Sequence, residues 1–234
     1  MISHIANSDN GINNDGPVTS VNLAVGTALS AGNTIIGTGW SGGGTSITIT
    51  VTDNNKNVYV VDQYQSLASD GDTLCVFHAD SISVTPNNPP TLTISTSASS
   101  SIRAAVSAYS GLAVPSRDTV NSANGTSASP SSGSITPSTQ YSLIFCAMGN
   151  AGANSTSIAA GTGFTLRQIV ADTVSPFNQR MATEDQIVTS STSVTGAFTQ
   201  GISQEWGCIV VSYRGLSNYT VEEYGQSITF GRSI

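Results

Sequence analysis

The strongest constraint on the fold of this chain is that it carries one pattern twice. The segment AAVSAYSGL, Ala104 to Leu112, returns as CIVVSYRGL, Cys208 to Leu216, so that Tyr109 is matched by Tyr213, Gly111 by Gly215 and Leu112 by Leu216. The second copy lies 104 positions after the first in a chain of 234 residues, close to half its length. A period of that size points to a duplicated structural unit. Reading backwards from each copy gives the same succession of events. NTIIGTGW, Asn33 to Trp40, answers to QYSLIFCAMG, Gln140 to Gly149; Ser46 to Asp62 answers to Gly161 to Thr173; Asp72 to Asp80 answers to Phe177 to Val188; and TLTIST before the first tyrosine answers to SVTGAFT before the second.

The local signal is strand throughout. Ile47, Ile49 and Val51 alternate with Thr48, Thr50 and Thr52, a period of two that buries one face and wets the other. Leu143 to Met148 and Cys208 to Val211 are continuously apolar, as central strands covered on both faces are. Turn formers punctuate the runs: Asp53, Asn54 and Asn55 in a hairpin, Asp70, Gly71 and Asp72, and Asn87 to Pro90. No stretch has a period of 3.6, so helix should be minimal. About four strands per half, eight or more in all, predict an all-β chain: a jelly-roll-type two-sheet β-sandwich with internal duplication. Its expected organisation is an N-terminal arm over 1–17, a sandwich over 18–216 built of halves 18–112 and 118–216 that share one interior, and a C-terminal arm or extra strands over 217–234. Pro115 to Pro137 reads as a crossover between the halves. Two tandem domains are the rival arrangement.

Composition narrows the function classes. Asp, Glu, Lys and Arg make up 9% of the residues, so hydroxyls and amides must cover most of the surface. Hydrophobic residues at 38% exclude the low-hydrophobicity, high-charge profile of a disordered chain. A formal net charge of −7 without any Lys or Arg cluster excludes nucleic acid as an expected partner, because counterion-release binding needs several cations on one face. No apolar run has the length of a membrane span, so no membrane partner is expected. The opening MISHIANSDNG has neither a basic segment nor an apolar one, and no signal peptide is expected. Cys75, Cys146 and Cys208 each sit inside an apolar run and are expected to be buried free thiols, in keeping with synthesis in a reducing compartment.

At this point the residues carry a resemblance. The Asn33–Trp40 strand, the VTDNNKNVYVV hairpin with Asn57 and Tyr59, AAVSAYSGL, GTGFTLR and CIVVSYRGL resemble a β-sandwich module of bacterial surface proteins and phage virion proteins, with Lys56 where that hairpin usually has Gly. The similarity spans residues 18 to 216. Its motifs are structural, so it implies a fold and a role in adhesion or particle decoration, and brings no catalytic residues.

The residues capable of chemistry point the same way. His4 lies in a polar arm and His78 in an apolar strand, and no paired His or Cys spacing suits zinc. Adjacent carboxylates such as Glu184 and Asp185 point to opposite faces of a strand, which disfavours a glycosidase pair within that run. Oxygen-rich turns at Asp53 to Asn55 and Asp70 to Asp72 suit either calcium or local backbone hydrogen bonds, the second being the plainer account. Gly42, Gly43 and Gly44 lack the strand-to-helix setting of a phosphate loop. The expectation is therefore no catalytic residue, no metal and no cofactor. Tyr219, Tyr224 and Phe230 are candidate anchors in a neighbouring subunit, unless YTVEEY and SITF simply add strands to the same sandwich. Trp40, Tyr64 and Tyr109 are the candidate platforms if the partner is a sugar. The leading expectation is a bacteriophage virion protein, a capsid decoration or cement subunit made in the host cytoplasm. Its expected partners are the major capsid protein or other virion subunits and copies of itself, a trimer by analogy. The alternatives are a tail or fibre component, or a carbohydrate-binding or adhesive module at a bacterial surface or secreted.

Overall fold

The computed structural model describes residues 1–42, 47–67, 71–151, 157–172 and 179–216. The first half holds β1 (Ser3–His4), β2 (Asn10–Ala24), β3 (Thr34–Gly42), β4 (Ile49–Asp53), β5 (Val60–Ser66), β6 (Thr73–Ala79) and β7 (Thr91–Ser110). The second half holds β8 (Leu112–Ser127), β9 (Ser131–Ile135), β10 (Ser142–Ala151), β11 (Ile158–Ala160), β12 (Thr165–Ala171), β13 (Arg180–Val188), β14 (Val194–Gln200) and β15 (Gln204–Gly215). All pairings are antiparallel, and no helix occurs among the described residues. The chain is an all-β sandwich with internal duplication.

The duplication holds strand by strand. In the second half a five-stranded sheet, β12-β13-β10-β15-β8, accompanies a three-stranded sheet, β11-β14-β9. The first half makes the same arrangement from one curled sheet. Its long β7 pairs with β3 and the start of β2 through Ser101–Tyr109, and with β4 and the end of β2 through Thr91–Thr96. Register breaks in β2 between Asn14 and Ser20, around Pro17, let that strand follow the curl. In the second half the same two strands are each cut in two, as β8 with β9 and β14 with β15.

The alternation within the central strands explains their continuous apolarity. From β10, Leu143, Phe145 and Ala147 face the first half, while Ile144, Cys146 and Met148 face the second half's own interior. From β6, Leu74 and Val76 face the second half, while Cys75, Phe77 and Ala79 face inward. Three apolar clusters result, one inside each half and one between the second half's five-stranded sheet and the facing part of the first half's curled sheet. The single interior expected to be shared by the halves is divided: each half encloses a core of its own, and the third cluster lies between them.

Two expectations about polar segments are revised. The arm over 1–17 is not free: β1 and β2 pair with β7, Ile2 is buried in the cluster between the halves, and Asn10 Nδ2 donates to Ala24 O at 2.8 Å. Pro115 to Pro137 is not a loose crossover, because β8 and β9 occupy most of it. Both segments are poor in apolar residues because they run along sheet edges, where a strand needs backbone partners on one side only.

The free edge of β5 is covered by the opposite half. Asn124 Nδ2 on β8 donates to Ser66 O at 2.8 Å, and Arg117 on β8 donates to Asp62 O at 3.4 Å. At the other side of the block β12 lies against β2, with Val170 packed on Gly11.

Trp40 and Gly149 occupy matching positions, opposite Arg103 and Gly207 respectively, and the two touch across the halves. A Cβ at 149 would fall 1.7 Å from the indole ring, so the tryptophan fills the space that a side chain would need. Gly149→Ala should cost about 1–3 kcal/mol through overpacking, read as a lower urea midpoint with an unchanged slope.

Candidate functional site

The structure separates the sequence candidates. Trp40 is 1% exposed and Tyr109 fully buried, so neither presents a ring to a sugar; their apolar surface builds the cluster between the halves. Tyr64 is 37% exposed on β5, its hydroxyl donating to Ile49 O at 2.7 Å, and it lines a hollow with Thr48, Ser66 and Thr73. Tyr219, Tyr224 and Phe230 lie outside the described residues.

The repeated tyrosines instead organise two buried ionic clusters at the seam. Matching the registers at Tyr109 and Tyr213 places His78, opposite Ile36, in the position of Asp185, opposite Phe145. The outermost strands match as well. Each has a bulge, with Asp62 between Val61 and Gln63 in β5 and Arg167 between Leu166 and Gln168 in β12. An ion pair is thus kept at equivalent places with its signs exchanged. Asp62 meets His78 Nδ1 at 2.9 Å in the first half, and Arg167 holds Asp185 through two bonds of 2.8 Å in the second.

Each carboxylate is then capped by the tyrosine of the other half. Tyr213 donates to Asp62 at 2.6 Å and Tyr109 to Asp185 at 2.7 Å. Each tyrosine also meets a histidine edge to face, His78 against Tyr213 at 5.5 Å and His4 against Tyr109 at 5.4 Å between ring centres. Around the first cluster, Arg117 Nε lies 3.3 Å from Asp62, and Asp80 accepts from the Ser116 hydroxyl at 2.6 Å. Around the second, Asp9 accepts from His4 at 2.8 Å and Ser107 at 2.6 Å. A third cross-link is Arg103, 1% exposed, which donates to Asp172 at 3.0 Å and Gln179 at 2.9 Å beside a hollow of about 310 Å³.

The electrostatics keep the two seam tyrosines and His78 protonated near neutral pH. Burial and the neighbouring carboxylates hold both tyrosine hydroxyls well above their ordinary range, so they remain donors. Burial alone would lower His78, but its bonds to Asp62 and Asp80 outweigh that and raise it to about 9. Both ring nitrogens face carboxylates, Nδ1 at 2.9 Å from Asp62 and Nε2 at 3.6 Å from Asp80. Ser116 is buried, with its hydroxyl on Asp80. This arrangement holds two sheets together and offers no exposed nucleophile with its base.

Of the oxygen-rich turns, the one at Asp53 is accounted for locally, while Asp70, like Gly43 and Gly44, lies outside the described residues. Asp53 accepts from Asn55 N, Asn57 N, Asn57 Nδ2 and Tyr59 OH at 2.7–3.1 Å, the turn-closing use of an aspartate. Among the described residues no group of three or more His, Cys, Asp or Glu is placed to hold a metal ion. The three cysteines are buried and unbonded, and burial pushes Cys75 up to about 12. Cys146 and Cys208 approach to 3.6 Å from a diagonal register. Glu184 and Asp185 do point to opposite faces of β13. Glu184 enters the second half's core, accepting from Gly161 N at 2.7 Å and Ala197 N at 3.3 Å, so that it clips β13 to β14 and to the residue that follows β11. Burial outweighs those bonds and raises Glu184 to about 7. Sequence reasoning missed Asp62, Asp185 and Glu184 as seam and core groups. The available signal was a carboxylate embedded in an apolar run, VVDQY and MATEDQIV, where a charge must find a buried partner.

No family model matches the chain, and neither a curated protein nor a solved structure does.

Tyr213→Phe and Tyr109→Phe should each cost about 1–3 kcal/mol, because each leaves a buried carboxylate one donor short. Chemical denaturation of the single variants reads this directly. His78 is raised in the fold from 6.5 to about 9, so its stabilisation is complete below pH 6.5 and is lost as pH rises through 9. Glu184 is raised from 4.5 to about 7, so its contribution is complete below pH 4.5 and is lost as pH rises through 7. Urea midpoints should therefore fall in two steps between pH 5 and 9, the lower step missing in Glu184→Gln and the upper in His78→Gln.

Proposed function

We propose that this chain is a bacteriophage virion structural protein, a capsid decoration or cement subunit that stabilises the particle by contact area. The observation that carries the reading is where its ionisable groups go. Asp62, His78, Arg103, Glu184 and Asp185 are buried in the seam or the cores, which leaves an outer surface dominated by hydroxyls and amides. Such a surface associates through shape and burial, with little electrostatic steering. The back-to-back block suits this work, since two cores and a cross-linked seam resist deformation when neighbours pull on it. Exposed Met1, Tyr141 and Leu216 gather at the Gly111–Gly215 corner, where Gly215 N donates to Tyr141 O and Leu216 N to Gly111 O. In this reading the corner is where the chain would meet the capsid protein or copies of itself.

A second reading, a carbohydrate-binding module of a bacterial surface protein, keeps one observation in its favour. Tyr64 alone among the three named aromatics has an exposed ring.

Mass spectrometry of purified particles should find the chain at high copy, and removing it should lower the temperature at which heads release DNA. Tyr141→Glu with Leu216→Glu should weaken rebinding to stripped particles while leaving the protein's own melting temperature in place. Particles that lack the chain would sink the virion reading.

A further inference from the structure

The second half carries a groove that none of the preceding roles uses. It measures about 460 Å³ and opens at the end of the sandwich, between the β13–β14 turn and the segment leading into β12. This is the size range of small-ligand sites. Hydroxyl side chains form its rim: Thr162, Thr189, Ser190, Thr192, Ser193 and Thr195. Ser190 pairs with Thr192 at 3.1 Å and Thr195 with Ser134 at 2.6 Å, whereas Thr162, Thr189 and Ser193 make no side-chain hydrogen bond within the described residues. The half-buried Phe164 and the Gln186 amide line the groove further in. That amide also has no protein partner among the described residues. It lies over Gly163, where a Cβ would sit 3.0 Å from its nitrogen and φ is +85°, so the glycine leaves the space that the amide occupies.

The chemistry of this lining selects its ligand. No Asp, Glu, Lys, Arg or His lines the groove, so nothing there would compensate a charged ligand. An amide offering two donors and an acceptor, set among a rim of hydroxyls in a wall that is almost wholly polar, suits an uncharged molecule rich in hydroxyls. We infer that this groove binds an uncharged saccharide, one or a few sugar units of a cell-surface or capsule-type glycan. The inference rests on the glycan-binding reading and moves its site from Tyr64 in the first half to the β13–β14 end of the second. It also fits a particle subunit that touches a host surface.

The test uses the full chain on a printed panel of neutral glucose, galactose, mannose and N-acetylglucosamine oligosaccharides, with sialylated and sulfated glycans as charged controls. Ligand-observed NMR then measures the Kd of each hit for the wild type, Gln186→Leu, Ser193→Trp and Tyr64→Ala. The expected result is binding of a neutral oligosaccharide that is insensitive to salt, weakened about tenfold or more by each groove substitution and unchanged by Tyr64→Ala. Ser193 is exposed, so that variant keeps the wild-type melting temperature and separates loss of binding from loss of fold. Binding lost only in Tyr64→Ala would overturn the groove and leave the glycan reading standing. Hits confined to charged glycans would overturn the ligand class, and no hit at all would overturn both.

Discussion

Two aspartates buried between sheets set the terms for the rest of this structure. A carboxylate withdrawn from water is tolerable only when donors surround it, and here one donor to each comes from the opposite half of the chain. Neither half can satisfy its own carboxylate completely, so the seam is specified by hydrogen bonding as well as by apolar area. A sliding or rotated packing of the two facing sheets would keep much of the apolar contact but would strand Asp62 or Asp185. The ionic clusters act as a register pin between surfaces that would otherwise be approximately interchangeable. Arg103, bonded to Asp172 and Gln179, adds a third fixed point.

The duplication has been kept in backbone and relaxed in side chains. The bulge in the outer strand, the tyrosine register and the five-plus-three arrangement recur in both halves, yet the ion pair changes sign and Trp40 stands where Gly149 does. These differences are complementary across the seam. A tryptophan on both sides would clash, and a glycine on both would leave a void. The two copies have diverged into partners that fit each other.

Much of the fold was legible because its signal is periodic. The paired tyrosine motifs, the alternation at Ile47 to Val51 and the doubly apolar runs of β10 and β15 fix strand identity and duplication without reference to tertiary structure. Edge strands escaped notice because β2 and β8 are built from Asn, Ser, Gly and Asp, whose pairing depends on a neighbour's backbone and leaves little trace in hydropathy. The partition into three interiors was equally hidden: a run buried on both faces reads the same whether its second face meets its own half or the other. Trp40 and Tyr109 looked like binding platforms because exposure cannot be read from residue type. The groove at Gln186 has no sequence signature, since threonines and serines are ordinary everywhere in this chain and only the fold gathers them.

The covering of the β5 edge by Asn124 and Arg117 bears on how the protein behaves in quantity. An open strand edge is a template on which a second molecule can lay its own strand, and growth of that kind has no natural end. With carbonyls of this edge already engaged by side chains from the other half, crowded copies are steered away from zipping together along β5. The second half thus serves the first as an edge guard as well as a packing partner.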